Sequence, residues 1–156
     1  MDACYPRRRI LLAGPVQSDA MTDEQFMHRA LELARKAQSE GEVPIGAVVV
    51  IGGQIVGEGW NRPIAASDPT AHAEVQALRS AAKQLKNYRL TGATLYVTLE
   101  PCDMCLGAMF HARVERVVFG AKDPKKQVLK NNVKVEGGLL AQECSGILSA
   151  FFAAKR

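Results

Sequence analysis

From Thr22 to Gly41 the apolar positions Phe26, Ala30, Leu33, Ala34 and Ala37 recur at the spacing of one helical face. Thr22 and Gln25 have the form of a capping box at its start, and Gly41 ends the pattern. The period then shortens. Ile45 to Ile51 is a β-branched run, Gly52-Gly53 supplies a tight turn, and Gln54 to Trp60 returns as the second strand of an antiparallel hairpin.

Asn61 to Thr70, with Pro63, Ser67-Asp68 and Pro69, reads as a loop. A second helix is expected from about Ala71, with Ala71, Val75, Leu78, Ala82 and Leu85 on its apolar face. A buried strand over Thr94 to Leu99 follows and is stopped by Pro101. A short helix over Cys102 to Ala112, a strand over Arg116 to Gly120, a polar stretch and a last helix over Leu139 to Ala154 complete the chain. Strands that alternate with helices imply parallel crossovers, so the expected class is α/β: a mixed sheet opened by an antiparallel hairpin, with helices on both faces.

A chain of 156 residues is the size of one domain. Residues 1–20 are read as a flexible N-terminal extension, with Met21 an alternative start, and residues 21–156 as a single domain. Arg7-Arg8-Arg9 before Ile10-Leu11-Leu12-Ala13 has the outline of a secretory leader, but Gly14-Pro15 cuts the apolar core short. No apolar run reaches the roughly 20 residues that span a bilayer, so a membrane protein is excluded and a cytoplasmic location expected. The net charge of +4 suits a polyanionic partner without requiring one. Cys102 and Cys105 form a CxxC while Cys4 and Cys144 stand alone, a pattern that favours metal or redox chemistry over a disulfide framework.

The chemistry concentrates in Thr70-Ala71-His72-Ala73-Glu74 at a helix start and Glu100-Pro101-Cys102-Asp103-Met104-Cys105 at a strand-to-helix junction. Cys102 and Cys105 share one face of a first helical turn, where the positive helix end favours thiolates. With His72 they make a His-Cys-Cys set, which suits Zn²⁺ and leaves a fourth tetrahedral position for water. Glu74 is the expected catalytic residue: zinc lowers the pKa of its water to roughly 7, and Glu74 carries the proton to the substrate. His72 and Glu74 converge only at the first helical turn, where the Pro69-Thr70 boundary puts them.

Taken alone, the CxxC also fits a redox pair or a structural zinc site. A structural site needs a fourth protein ligand, and His28, His111, Cys4 and Cys144 are not at a characteristic spacing. Phe151-Phe152 reads as core packing, with one ring able to border a substrate. Lys122, Lys125, Lys126, Lys130 and Lys134 form either a solvated loop or a phosphate-contact surface.

The order H-x-E…P-C-x-x-C is the signature of zinc nucleobase deaminases. A denser series of segments resembles the bacterial tRNA adenosine deaminases: Glu42-Val43-Pro44-Ile45-Gly46-Ala47, Gly59-Trp60-Asn61-Arg62-Pro63, Asp68 to Glu74, Tyr96 to Cys102, and Val118-Phe119-Gly120-Ala121-Lys122-Asp123. The resemblance runs from about Thr22 to Arg156. It implies a cytidine-deaminase-like three-layer α/β/α fold with about five strands, one Zn²⁺ per subunit and a homodimer. It also implies hydrolytic conversion of the wobble adenosine of a tRNA anticodon stem-loop to inosine.

By the same resemblance Asn61 hydrogen-bonds the flipped base, Val43, Pro44 and Ala73 line its pocket, and Asp123 and Lys125 contact flanking nucleotides. Between Asp123 and Gly138 the chain is shorter than the family's usual form and lacks its Asn-His pair, which bears on RNA affinity or selectivity. Two other readings remain at this point. One is a deaminase of free nucleobases or nucleosides, which needs no basic rim. The other is a zinc-stabilised nucleic-acid binder without activity, in which Glu74 is an ordinary helix residue.

Overall fold

The computed structural model describes residues 20–125 and 133–156. The readings of the N-terminal extension, Cys4, Lys126 and Lys130 lie outside these residues. The capping box closes as the sequence implies. Thr22 Oγ1 accepts from the Gln25 backbone N–H at 3.3 Å and Gln25 Oε1 accepts from the Thr22 N–H at 2.8 Å, opening α1 (Asp23–Ser39). The hairpin of β1 (Gly46–Ile51) and β2 (Gln54–Trp60) turns on Gly52 and Gly53, both at positive φ.

The chain continues through α2 (Pro63–Ala66), α3 (Ala73–Leu85), β3 (Thr94–Leu99), α4 (Asp103–Ala112), β4 (Arg116–Ala121), β5 (Lys134–Glu136) and α5 (Ala141–Ala154). The sheet order is β2-β1-β3-β4-β5. β1 is antiparallel to both β2 and β3, whereas β3–β4 and β4–β5 are parallel. β1, paired on both sides, is buried along its whole length. The expected mixed sheet of five strands is therefore present.

Alternate residues of the central strands face different layers. Val49, Leu95, Val97, Val117 and Phe119 pack with α3 and α4, whereas Val48, Val50, Tyr96 and Val118 pack with α1 and α5. The result is a three-layer α/β/α arrangement. No helix among the described residues is long and apolar enough to cross a membrane.

Three details depart from the sequence reading. The segment Asn61 to Thr70 contains a helical turn, α2, started by Pro63 and closed by Ser67 in the left-handed region at φ 48°. The polar stretch after Gly120 contains β5, a largely exposed edge strand of three residues, too short and too polar to show a strand period. It is fastened instead by Arg116, whose Nη2 lies 2.8 Å from both Asp23 Oδ2 and Glu136 Oε2.

The third departure is at α3, which begins at Ala73 rather than Ala71. Its buried face is Ala73, Glu74, Ala77, Leu78 and Ala81, not the expected set of Ala71, Val75, Leu78, Ala82 and Leu85. Glycines in β2 are the cause. A Cβ at Gly57 would lie 2.5 Å from the Ala77 carbonyl oxygen and 2.6 Å from the Ala81 nitrogen, and one at Gly59 would overlap Ala73 and Ala77. The helix backbone thus rests directly on β2 through alanines, and Val75 and Leu85 are turned to the flank of the core.

Candidate active site

His72 and Cys102 occupy equivalent places, each the N-cap of a helix on the same face of the sheet. Neither side chain caps its own helix, so both remain available as ligands. Cys105, one turn into α4, is fully buried. His72 Nδ1 lies 3.5 Å from Cys102 Sγ and 3.6 Å from Cys105 Sγ, and the three ligand atoms fall within 4.8 Å of one another.

These separations test the fit to zinc. Bonds of about 2.0–2.1 Å to nitrogen and 2.3 Å to sulfur, at the tetrahedral angle, place the nitrogen about 3.5 Å from each sulfur. The donor set, one imidazole and two thiols that become thiolates on binding, agrees with that geometry. Three protein ligands leave a fourth position open. His28 and His111 are exposed, and Cys144 is buried against Gly120 on the opposite layer, so among the described residues none joins the cluster.

The two sulfurs divide their protons unequally. Cys102 is pulled down to about 5, first by its hydrogen bond with Cys105 and further by His72. Cys105 is pushed up by that same hydrogen bond and by burial. The pair therefore loses its first proton from Cys102. Glu74, in the first turn of α3, is 4 % exposed. Burial raises its carboxyl pKa, opposed by a hydrogen bond with Cys105.

Asn61 is buried at the end of β2, and its Oδ1 accepts from the Ala73 N–H at 3.2 Å. The Arg62 N–H donates to the Ala71 carbonyl at 2.9 Å. His72 is thus bracketed by two bonds from one neighbouring segment. The Asn61 N–H in turn donates to the Ile45 carbonyl at 3.0 Å, bringing Val43 and the buried Pro44 beside the same segment.

Asp123 lies just beyond β4, where its N–H donates to Glu100 Oε1 at 3.1 Å and its Oδ1 accepts from the Lys125 N–H at 3.0 Å. Lys125 and Lys122 are exposed, whereas Lys134 pairs with Glu136 at 3.1 Å. Phe151 is buried on α5, which packs on β3, β4 and α1, across the sheet from α3 and α4. No described contact brings it to the metal ligands.

Two carboxylates that sequence reasoning left without a role are part of this frame. Glu100 ties the Asp123 loop to the Pro101-Cys102 junction, and the buried Glu42 binds α2. Each adjoins motif residues in the sequence, but its partners are backbone N–H groups more than twenty residues away, which leave no local pattern. A groove of about 420 Å³ with Arg89, Phe110 and Arg113 in its wall lies at the far end of α4 and contains none of the ligands.

Residues 20–121 match the cytidine and deoxycytidylate deaminase zinc-binding region. The tRNA-specific adenosine deaminase of Haemophilus influenzae is 51% identical over 147 residues, covering 86% of this chain and 85% of that protein. A structure solved in a study of A-to-I editing by tRNA:A34 deaminases at the wobble position superposes with a TM-score of 0.74 at 41% identity, over 79% of this chain and 98% of that one. A guanine deaminase from Nitrosomonas europaea superposes with a TM-score of 0.78 at 25% identity, over 85% of each chain. The fold, the His-Cys-Cys cluster and these matches agree: the chain belongs to the cytidine and deoxycytidylate deaminase family and, within it, to the tRNA-specific adenosine deaminases.

Proposed function

We propose that this protein hydrolytically deaminates the wobble adenosine of a tRNA anticodon to inosine, with one Zn²⁺ per subunit held by His72, Cys102 and Cys105. The observation that carries the reading is the cluster itself, with the His72 nitrogen at tetrahedral zinc separations from both sulfurs, beside the buried Glu74 carboxyl group. The metal supplies a water acidified enough to attack at neutral pH. Everything else is done by side chains of this chain.

With the metal bound, Glu74 would take the first proton of that water and pass it to the ring nitrogen next to the amine-bearing carbon as the oxygen adds there. Glu74 would then take the remaining hydroxyl proton and hand it to the amine, so that ammonia leaves as the carbonyl forms. Such a shuttle contributes about 10²–10⁴-fold in rate. Its low exposure and raised pKa suit a group that must both accept and return a proton near neutrality.

In this reading the Asn61 amide orients the flipped base while Val43, Pro44 and Ala73 form the walls of its pocket. Among the described residues Asn61 Nδ2 has no protein partner, which leaves it available to the base. Asp123 and Lys125 contact the flanking nucleotides, supported by their tie through Glu100 to the metal junction. For Phe151, which lies across the sheet from α3 and α4, a place beside the substrate rests on the resemblance alone. We further take residues 21–156 as one domain acting in the cytoplasm as a homodimer. Met104 beside the ligands and Phe110 toward the far end of α4 are both exposed and supply apolar surface for a second copy.

The test is product analysis with the zinc-loaded protein on an anticodon stem-loop, free adenosine, free cytidine and free guanine. Inosine from the stem-loop, with no turnover of the small compounds, supports the proposal. Turnover of a free base or nucleoside alone replaces it with a small-molecule deaminase.

A further inference from the structure

Glu42 is a charged side chain in an unusual position. It is 2 % exposed, and among the described residues no lysine or arginine pairs with it. Its two oxygens are nevertheless both occupied. Oε1 accepts from the Ile64 N–H at 3.1 Å and Oε2 from the Ala65 N–H at 2.9 Å. Both donors belong to the short helix α2, whose first N–H groups have no partner within the helix.

The connection closes a ring. Glu42 is held to the end of α1, its N–H donating to the Ala37 carbonyl at 3.0 Å. From Glu42 the chain passes through Val43 and Pro44 to Ile45, whose carbonyl accepts from the Asn61 N–H. Arg62 leads from Asn61 into α2, and α2 binds back to Glu42. Val43 and Pro44 therefore lie on one side of the ring and Asn61 on the other, and Glu42 is the side-chain bond that fixes their separation.

A hydrophobic side chain at position 42 would bury as much area, but it would leave two N–H groups unpaired. A basic one would meet them with like charge. Glu42 itself touches none of the metal ligands: its oxygens bind α2, whereas the Ala71–Ala73 segment is held by the Arg62 N–H and Asn61 Oδ1.

We propose that Glu42 is a positioning residue that sets the width of the base pocket, acting on recognition of the extruded base and not on the metal or on the proton shuttle. This inference rests on the proposed tRNA deaminase reading. It is separable from that reading, because it concerns how the base is held and not whether RNA is bound.

The experiment measures equilibrium binding of two fluorescent anticodon stem-loops, one with adenosine and one with an abasic site at the wobble position. Both are titrated onto the zinc-loaded Glu74→Ala protein, in which no turnover occurs. Adding Glu42→Ala is expected to weaken binding of the adenosine stem-loop by about tenfold or more and to leave the abasic stem-loop within about twofold, at unchanged zinc content. Glu42→Gln, which keeps one acceptor oxygen, should recover part of the difference. In the active protein Glu42→Ala should raise KM and change kcat much less.

Tyr96→Phe, which loses the bond to Asp23 far from the pocket, is the control for a general loss of stability and should show no adenosine-specific effect. Equal weakening of both stem-loops by Glu42→Ala, or no weakening of either, overturns the role given to Glu42. If the parent protein binds the two stem-loops equally and makes no inosine, the tRNA deaminase reading itself fails.

Discussion

Asn61 Oδ1 accepts the backbone N–H of Ala73 at 3.2 Å, so a side chain at the end of β2 braces the residue between His72 and Glu74. In the proposed reading one amide has two tasks, structural through its oxygen and recognitional through its nitrogen. Substitutions separate them. Asn61→Asp keeps the acceptor and loses the donor, and should fold and bind zinc normally while losing at least about tenfold in kcat/KM on the stem-loop, the effect of one lost hydrogen bond. Asn61→Ala loses both and should also lower stability by about 1–3 kcal/mol, measured by thermal unfolding.

The close seating of α3 on β2 makes a second prediction. A Cβ at Gly59 meets the backbone of Ala73 and Ala77, which cannot rotate out of the way as a flexible side chain would. Gly59→Ala is expected to cost about 1–3 kcal/mol and, because the displaced turn carries His72 and Glu74, to lower zinc content as well. Metal analysis and a thermal melt on the same preparation check both.

Arg116 ties the first turn of α1 to β5 through Asp23 and Glu136. The Asp23 carboxyl is held below its usual range, first by the Arg116 hydrogen bond and then by that from Tyr96. A depressed carboxylate pKa stabilises the folded state above the unfolded value and ceases to do so as pH falls through the folded one. Asp23→Asn should therefore melt below the parent at neutral pH, with the two converging as pH falls through the depressed value of the folded Asp23 carboxyl. The pair is partly exposed, so the difference should stay within about 1 kcal/mol.

Removal of the metal gives a fourth prediction. Chelation should abolish deamination and zinc alone should restore it. Affinity should fall as pH is lowered, because the Cys102 and Cys105 thiols bind as thiolates, after losing their protons. Titration of zinc onto the stripped protein at several pH values measures this directly.

The elements that carry these features differ in how far the sequence disclosed them. The ligands were legible because metal chemistry needs particular residue types, and His72-Ala73-Glu74 and the CxxC at Cys102 are local in the chain. α1 and the hairpin were legible from their periodicity and turn residues. The buried face of α3 was not, because alanine carries little hydrophobic signal and the helix orientation was decided by Gly57 and Gly59 in another element. Glu42 and Glu100 were invisible for a related reason: a carboxylate that binds distant backbone N–H groups looks in the sequence like any solvated glutamate. β5, with three residues and no apolar alternation, follows from an ion-pair anchor instead of a pattern.

The central claim is that Glu74 moves the proton at a zinc site whose substrate is the wobble adenosine. Single-turnover inosine formation on the anticodon stem-loop, compared between the parent and Glu74→Ala at equal zinc content, tests it most directly. Inosine is expected from the parent, with a rate lower by at least about 10²-fold in Glu74→Ala and zinc retained. Inosine formed at a similar rate by both proteins would contradict it.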